Sequence, residues 1–193
     1  AIAGELVARA TPDGYTVLYN TSSMVLSPLM YSKMSFDFSR ELAPVVKSAI
    51  VPLVLVVHPS VPVKSVVELV AYAKANPNKL NYGTGGSGSS GHIAAELFKT
   101  MTGTEIVHVP YKGVAQSLSD TVAGQIQLVF NAASTSVSMM NAGKVRGLGI
   151  TSIKRSALVP GVPTIAESGV PGYDASIWQG ILAPARTPAA IVN

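Results

Sequence analysis

The chain has 193 residues and a net charge of +4, and 48% of its residues are hydrophobic while only 12% are charged. That composition excludes a disordered chain, and the absence of cysteine excludes thiolate metal sites, cysteine nucleophiles and disulfides. The basic residues are scattered without interleaved aromatics, so nucleic-acid binding is not expected. The three histidines, His58, His92 and His108, lie far apart in the sequence, so no metal site is expected either.

The first third of the chain predicts the end of a helix and two strands. Residues 3–9 are typical of a helix end, and Pro12-Asp13-Gly14 of a turn. Residues 15–20 predict a short apolar strand, which the polar stretch 21–23 follows directly. The apolar run 50–57 is far shorter than the roughly eighteen residues of a membrane span, so it predicts a buried strand.

From Ser65 onward, strands and helices are predicted to alternate. Ser65 stands three residues before Glu68, a capping box that predicts a helix running to about Ala75. Such alternation predicts an α/β fold with parallel strands, helices on both faces, and ligands at the carboxyl ends of the strands. Polar loops fall at these ends, at 21–23, 83–91, 110–113 and 131–136. The remaining strands are predicted at 79–82, 105–111, 125–130 and 145–151, and the remaining helices at 90–102, 116–123 and 134–142.

The stretch "NYGTGGSGSSGH" from Asn81 to His92 is the most informative segment. It has the Gly-x-Gly-x-x-Gly spacing of a dinucleotide fingerprint, but that motif needs an acidic residue at the end of the next strand, and Glu105 precedes the strand instead. A phosphate-binding P-loop would need Lys after Gly88, where Ser89 stands. The G-x-S-x-G turn of a serine hydrolase is not met either.

Three interpretations of residues 83–91 remain open. Backbone N–H groups at a helix N-terminus, supplemented by hydroxyls, form an anion site that suits a carboxylate. The alternatives are an enzyme that uses the loop, either nucleotide-dependent or a serine hydrolase, and a flexible linker. No His–carboxylate pair is evident that would activate a serine, so no catalytic residue is expected.

Five motifs, taken in order along the chain, together resemble one family. They closely resemble the periplasmic solute-binding proteins of tripartite tricarboxylate transporters, often called the Bug family. The match covers essentially the whole chain, and the final motif is the most distinctive. The motifs are "PDGYTVL", "LNYGTGGSGSSGHIAAELFK", "VHVPYKG", "AGKVRGLGITSIKRS" and "VPTIAESGVPGYDASIWQGILAPARTP".

The resemblance implies an α/β, two-domain periplasmic-binding-protein fold that closes on its ligand like a flytrap, with parallel-rich sheets and helices on both faces. Residues 1–54 would belong to domain one, 55–174 to domain two, and 175–193 would return to domain one. It also implies a chain truncated at both ends, because a glycine-rich loop of domain one would precede Ala1.

The resemblance also implies a ligand site, carried over position by position. The glycine loop would hold a carboxylate, two residues of neighbouring loops would line the cleft, and the polar loop of domain one would contribute from the other side. Asn131 stands where family members usually carry Asp, which disfavours a zwitterionic amino-acid ligand. The implied ligand-binding residues are Thr21, Ser22, Thr84, Gly85, Ser87, Gly88, Ser89, Ser90, Tyr111 and Asn131.

The implied function is non-catalytic binding of a small organic carboxylate in the periplasm, for delivery to the membrane permease of a tripartite tricarboxylate transporter. A sensing role for an exported protein of the same fold is the alternative within this class. No cofactor, metal or nucleic acid is implied. The protein would be a monomer, exported by a signal peptide that this chain does not contain.

Overall fold

A computed structural model describes residues 2–25 and 35–192, without the side chain of Ser23. The chain forms two compact units: Ala1–Ile50 together with Ile177–Asn193, and Val51–Ser176. In the described residues, no helix has the length and apolar content needed to cross a membrane. The elements, in chain order, are α1 (Ile2–Ala8), β1 (Leu18–Thr21), a 3-10 helix (Ser22–Met24), α2 (Phe38–Glu41), β2 (Leu42–Val51), β3 (Leu53–Val57), α3 (Val66–Ala75), β4 (Asn81–Thr84), α4 (Ser90–Thr102), β5 (Val107–Pro110), α5 (Val114–Val122), β6 (Leu128–Ala132), α6 (Ala133–Asn141), β7 (Arg146–Ile150), β8 (Ile177–Pro184) and α7 (Ala189–Val192).

The first unit contains a three-stranded sheet in the order β1-β8-β2. Strands β1 and β8 run antiparallel, with Leu18 opposite Leu182 and Thr21 opposite Gln179. The first strand begins three residues later than predicted, because the turn extends further. The Asp13 carboxylate accepts a hydrogen bond from the Tyr15 N–H at 3.0 Å. A small apolar core lies beside this sheet and consists of Val7, Leu18, Phe36, Leu42 and Leu182.

The second unit contains a five-stranded sheet in the order β5-β4-β6-β3-β7. Strand β4 is parallel to β5 and to β6, as the alternation of strands and helices predicts. Strand β3 is antiparallel to β6 and to β7, which the sequence did not predict. The alternation rule governs strands joined by a crossover helix. Strand β3 comes from earlier in the chain and lies between two strands to which no crossover joins it directly.

The helix that opens at Ser65 shows how local sequence determines an element. The Ser65 hydroxyl accepts a hydrogen bond from the Glu68 N–H at 3.2 Å, which caps α3. The Glu68 carboxylate accepts from the Lys64 N–H at 2.7 Å, one residue before the partner that a capping box predicts. The helix therefore begins where the motif predicts. The Glu68 carboxylate, however, accepts from the Lys64 N–H and not from the Ser65 N–H.

Helix α4 is fixed firmly against the sheet. Its limits match the predicted helix 90–102, and Gly103 ends it in the left-handed conformation with φ of +63°. Its fully buried Phe98 packs against Phe130 and Tyr173, with ring centroids 5.9 and 6.3 Å apart. The Tyr173 hydroxyl donates to the Ala94 carbonyl at 2.8 Å. This packing fixes the position of the N-terminus of α4.

The other element limits differ from the predicted ones by a few residues. The most consequential shift concerns β4, which was predicted at 79–82 and runs from Asn81 to Thr84. Gly83 and Thr84 therefore belong to the strand, and the loop proper begins at Gly85. Strand β2 was not predicted, because only Leu42 of it is buried and its other side chains are at least partly exposed.

Candidate functional site

The predicted site residues of the second unit gather at one edge of its sheet. They lie at the end of β4, in the loop to α4, directly after β5, and in β6 close to α6. Two contacts join these segments. The Tyr111 N–H donates to the Thr84 carbonyl at 3.0 Å, and a Cβ on Gly91 would lie 2.7 Å from the Phe130 carbonyl oxygen. The carboxyl ends of neighbouring parallel strands thus form a single surface, the usual position of a ligand site in such sheets.

The loop between β4 and α4 depends on glycine for its conformation. Gly86 and Gly88 have φ angles of +112° and +79°, which side-chain-bearing residues rarely adopt. A Cβ on Gly85 would lie 3.1 Å from the Val114 backbone nitrogen, so this glycine allows the loop to approach α5 closely. The segment is a defined turn, since the Ser89 N–H donates to the Gly86 carbonyl at 3.2 Å.

At the N-terminus of α4, the first N–H groups lack acceptors within the helix. Ser89 is the N-cap residue, and the first intrahelical bond runs from the Ile93 N–H to the Ser89 carbonyl at 3.1 Å. The N–H groups of Ser90, Gly91 and His92 precede that bond and have no acceptor within the helix. The Ser89 hydroxyl makes no capping bond, and its oxygen is buried without a partner in the described part of the chain. Together with the helix dipole, these groups favour an anion.

Two residues that were predicted to contact the ligand, Thr84 and Gly88, form hydrogen bonds within the protein. The Thr84 hydroxyl lies 2.7 Å from His108 Nε2 and 3.2 Å from both the nitrogen and the carbonyl oxygen of Gly86. The Gly88 N–H donates to His92 Nδ1 at 3.2 Å. Both residues support the shape of the loop, and direct contact with a ligand stays a prediction for them.

Tyr111 and Asn131 also have intramolecular partners. The Tyr111 hydroxyl donates to the Asp120 carboxylate at 2.8 Å. The buried Asn131 amide nitrogen donates to the hydroxyls of Thr135 and Ser136 at 2.9 and 2.8 Å. Because the Thr135 hydroxyl donates its own hydrogen to the Ala132 carbonyl at 3.1 Å, it must accept from Asn131. This pattern orients the amide, and its nitrogen is not available to a ligand.

Thr21 and Ser22 belong to the first unit, and their contacts are given within that unit. Thr21 ends β1 opposite Gln179. Ser22 opens the short 3-10 helix, and its carbonyl accepts from the Val25 N–H at 3.2 Å. Their participation in ligand binding stays a prediction.

A polar and aromatic cluster beneath the glycine loop was missed in the sequence. The Tyr82 hydroxyl donates to the Glu96 carboxylate at 2.5 Å, and Lys99 donates to the same oxygen at 2.8 Å. The His108 ring stacks on Tyr82 with centroids 4.9 Å apart, and the His92 ring lies 4.3 Å from His108. Two signals could have revealed it. Tyr82 and His108 are opposite each other on parallel strands, and positions 92, 96 and 99 share one face of α4.

The cluster perturbs the ionisation of its members. Burial lowers the pKa of His108, and the neighbouring His92 lowers it further. Burial raises the pKa of Tyr82, and the hydrogen bond to Glu96 adds to that rise. Burial also acts to raise the pKa of Glu96, but the hydrogen bonds from Lys99 and Tyr82 outweigh it and hold the pKa below its ordinary value. The cluster is therefore stable with His108 neutral, Tyr82 protonated and Glu96 ionised.

We expect the cluster to make folding stability depend on pH. The pKa of His108 is lowered on folding from an ordinary value of 6.5, so the unfolded chain takes up this proton first as the pH falls. The stabilisation is complete above the unfolded pKa and is lost as the pH falls through the folded pKa. Urea denaturation between about pH 7 and about pH 5 should show this slope, and His108→Gln should flatten it. His58→Gln is the matched control and should keep the slope. Equal slopes for all three proteins would contradict the expectation.

The described geometry does not favour the serine-hydrolase interpretation. Among the described residues, no histidine hydrogen-bonds to the hydroxyls of Ser87, Ser89 or Ser90, and His92 Nδ1 already accepts from Gly88. A serine nucleophile needs an adjacent base.

Comparison with known proteins gives a consistent result. The model of the tripartite tricarboxylate transporter family receptor matches residues 1–193. A relative from a Pseudomonas species, a UPF0065 protein in the tcbD-tcbE intergenic region, is 36% identical over 193 residues, which cover all of this chain and 57% of that protein. The chain thus spans less than two thirds of the length of the relatives it matches.

Solved structures agree with the fold. The R. palustris protein Rpa4515, whose structure was determined with adipate, is 42% identical to this chain, with a TM-score of 0.90. The match covers 99% of this chain and 64% of the Rpa4515 chain. MatC from Rhodopseudomonas palustris, whose structure was determined with bound malate, is 28% identical to this chain, with a TM-score of 0.88. The match covers 99% of this chain and 65% of the MatC chain. These similarities confirm the two-domain α/β fold of periplasmic binding proteins.

Proposed function

Because the chain belongs to the tripartite tricarboxylate transporter family of receptors, we propose that it binds a small organic carboxylate at the N-terminus of α4 for delivery to the permease of such a transporter. The family consists of solute-binding receptors and not of enzymes. The proposal places the protein in the periplasm, as a monomer that acts with a membrane permease. Thr21 and Ser22 of the first unit would contribute to the same ligand.

One observation carries the proposal: the buried Ser89 hydroxyl has no hydrogen-bond partner in the described chain. Leaving a buried polar group unpaired costs about 1–3 kcal/mol, so such a group indicates a missing partner. Its position as N-cap of α4, beside three N–H groups without intrahelical acceptors, favours an anion as that partner.

The chemistry of this edge suits reversible binding. The donors offered by Gly85, Ser87, Ser89 and Ser90 are neutral, so a bound carboxylate meets no buried counter-charge at the loop. A receptor must release its ligand to a permease, and neutral donors allow this more readily than a buried ion pair. The adipate and malate complexes of the two R. palustris relatives support a carboxylate as the ligand.

Thermal denaturation of the natural full-length protein with a panel of acids tests the proposal. A bound acid at a hundred times its dissociation constant adds about 2.7 kcal/mol to the free energy of unfolding. Adipate, malate and citrate form the panel, and their methyl esters are the matched controls, because they keep the carbon skeleton and remove the charge. Stabilisation by esters as strong as by acids, or by nucleotides alone, would contradict the proposal.

A further inference from the structure

The side chain of His92 connects the first turn of α4 to the glycine loop. His92 lies three residues after Ser89, the N-cap of the helix. Its Nδ1 accepts a hydrogen bond from the Gly88 N–H at 3.2 Å. Gly88 has a φ of +79°, in a region that glycine adopts more readily than any other residue. Because Gly88 directly precedes Ser89, this hydrogen bond helps to hold the N-cap in place.

The hydrogen bond from Gly88 requires a neutral His92 ring. An imidazole nitrogen accepts a hydrogen bond only when it carries no proton, and both nitrogens of the imidazolium ion are donors. A proton on Nδ1 would therefore set two N–H groups against each other, and the bond to Gly88 would be lost. Imidazole is the side chain that ordinarily changes charge between about pH 5 and about pH 8.

The charge of His92 changes within a group of other titratable side chains. The nearest is His108 on β5, whose ring centroid lies 4.3 Å from that of His92. The Glu96 carboxylate and the Lys99 ammonium, further along α4, are paired with each other at 2.8 Å. The titratable side chains on α4 and on the segments packed against it are His108, Glu96, Lys99, Tyr82 of β4, which donates to Glu96, and Tyr173, which donates to the Ala94 carbonyl.

A charged His92 ring has two opposing effects on an anion at the N-terminus of α4. Its positive charge attracts the anion, but interactions between partly exposed charges are weak. A cation in the first turn also opposes the helix dipole, so the charged ring turns away from this end of the helix. The loss of the Gly88 bond then frees the loop that positions Ser89. The loop effect is the larger one, because the donors act together only when the loop holds them in place.

We infer that His92 is a positioning residue that makes carboxylate binding at the N-terminus of α4 depend on pH. This inference rests on the proposed function, which places the carboxylate there. A neutral ring accepts from Gly88 and keeps the site formed. As the pH falls and the ring gains a proton, the bond breaks and affinity falls. The receptor therefore holds its ligand near neutral pH and releases it more readily on acidification.

Calorimetry of the full-length protein with adipate and with malate, at about pH 7.5 and about pH 5.5, tests this inference. The comparison is between wild type and His92→Asn, whose side-chain oxygen can accept from Gly88 at either pH. Protonation of the acid itself affects both proteins alike, so the ratio of their affinities isolates the ring. The affinity of wild type relative to His92→Asn should fall about fivefold between the two pH values, the worth of one hydrogen bond. His92→Leu, which has no acceptor, should bind weakly at both.

His58 provides the matched control. Its Nδ1 also accepts a backbone hydrogen bond, from the Ser60 N–H at 3.2 Å. It follows β3, whose last residue pairs with Leu128 at the start of β6, so it lies at the opposite edge of the sheet from the proposed site. His58→Asn should therefore keep the pH dependence of the wild type.

Nuclear magnetic resonance of the ligand-free protein gives a readout that does not depend on binding. The Gly88 amide signal should shift with pH in step with the His92 ring signals in the wild type, and should not do so in His92→Asn. If the amide does not follow the ring, or if the affinity ratio stays constant or rises as the pH falls, the inference is wrong, while binding of the acids would still support the proposed function. If the amide follows the ring but neither acid binds at either pH, the proposed function is wrong and the inference falls with it.

Discussion

Replacing Gly88 by Val should abolish carboxylate binding by the full-length protein. Gly88 has a φ of +79°, and holding a non-glycine residue in such a region costs about 1–3 kcal/mol, more for a β-branched side chain. The loop would relieve this strain by turning the Gly88 N–H away from His92 Nδ1. That movement displaces the neighbouring Ser89 from the N-cap of α4. We expect at least a hundredfold loss of affinity by calorimetry, about 2.7 kcal/mol.

A substitution at a second glycine, Gly103, tests whether backbone strain alone, without a change in the loop, can abolish binding. Gly103 has a φ of +63°, and a Cβ there would meet no atom within 4 Å. It lies at the opposite end of the same helix, so Gly103→Val introduces similar strain away from the proposed site. It should lower the free energy of unfolding and leave affinity unchanged. Wild-type affinity in Gly88→Val would show that the ligand site lies elsewhere.

The elements predicted best from the sequence are those fixed by local contacts. The limits of α4 follow from an apolar face and from Gly103, and the start of α3 follows from Ser65. The run of five buried residues in β3 also marks that strand correctly. Each of these signals lies within a few residues of the element that it defines.

The features that were missed depend on contacts between distant segments. The antiparallel direction of β3 is decided by its neighbours β6 and β7, which lie about 70 and 90 residues later in the chain. Strand β2 was missed because only Leu42 of it is buried, and its other side chains are at least partly exposed. Hydrophobic periodicity predicts only strands that bury one face.

At the candidate site, too, the sequence predicted some features correctly and missed others. The sequence indicated the edge of the sheet and the residue types, because polar loops at strand ends are visible in it. It could not indicate which donors are already engaged. The hydroxyl of Thr84 faces His108, that of Tyr111 faces Asp120, and that of Ser89 has no described partner. Among the described residues of the loop, the Ser89 hydroxyl is therefore the one that is buried and still has an unfilled hydrogen-bonding capacity.

The second large effect is expected at Ser89, where affinity and stability should respond in opposite ways. Replacing Ser89 by Ala removes a neutral hydrogen bond to a charged ligand, worth about 1.5–3 kcal/mol, or roughly ten- to a hundredfold in affinity. Its hydroxyl makes no capping bond and is buried without a described partner. The ligand-free protein should therefore keep its stability or gain some. Ser89→Asp should bind still more weakly, because its carboxylate repels the carboxylate of the ligand.

Ser65 is the matched control, because it is also the N-cap of a helix but performs the ordinary capping role. Its hydroxyl accepts from the Glu68 N–H at 3.2 Å, so Ser65→Ala should cost about 1 kcal/mol of stability and leave affinity unchanged. Urea denaturation without ligand and calorimetry with a diacid would measure both quantities in the two variants. If Ser89→Ala instead loses stability like Ser65→Ala and binds like the wild type, then Ser89 only caps α4. The N-terminus of α4 would then not be the carboxylate site.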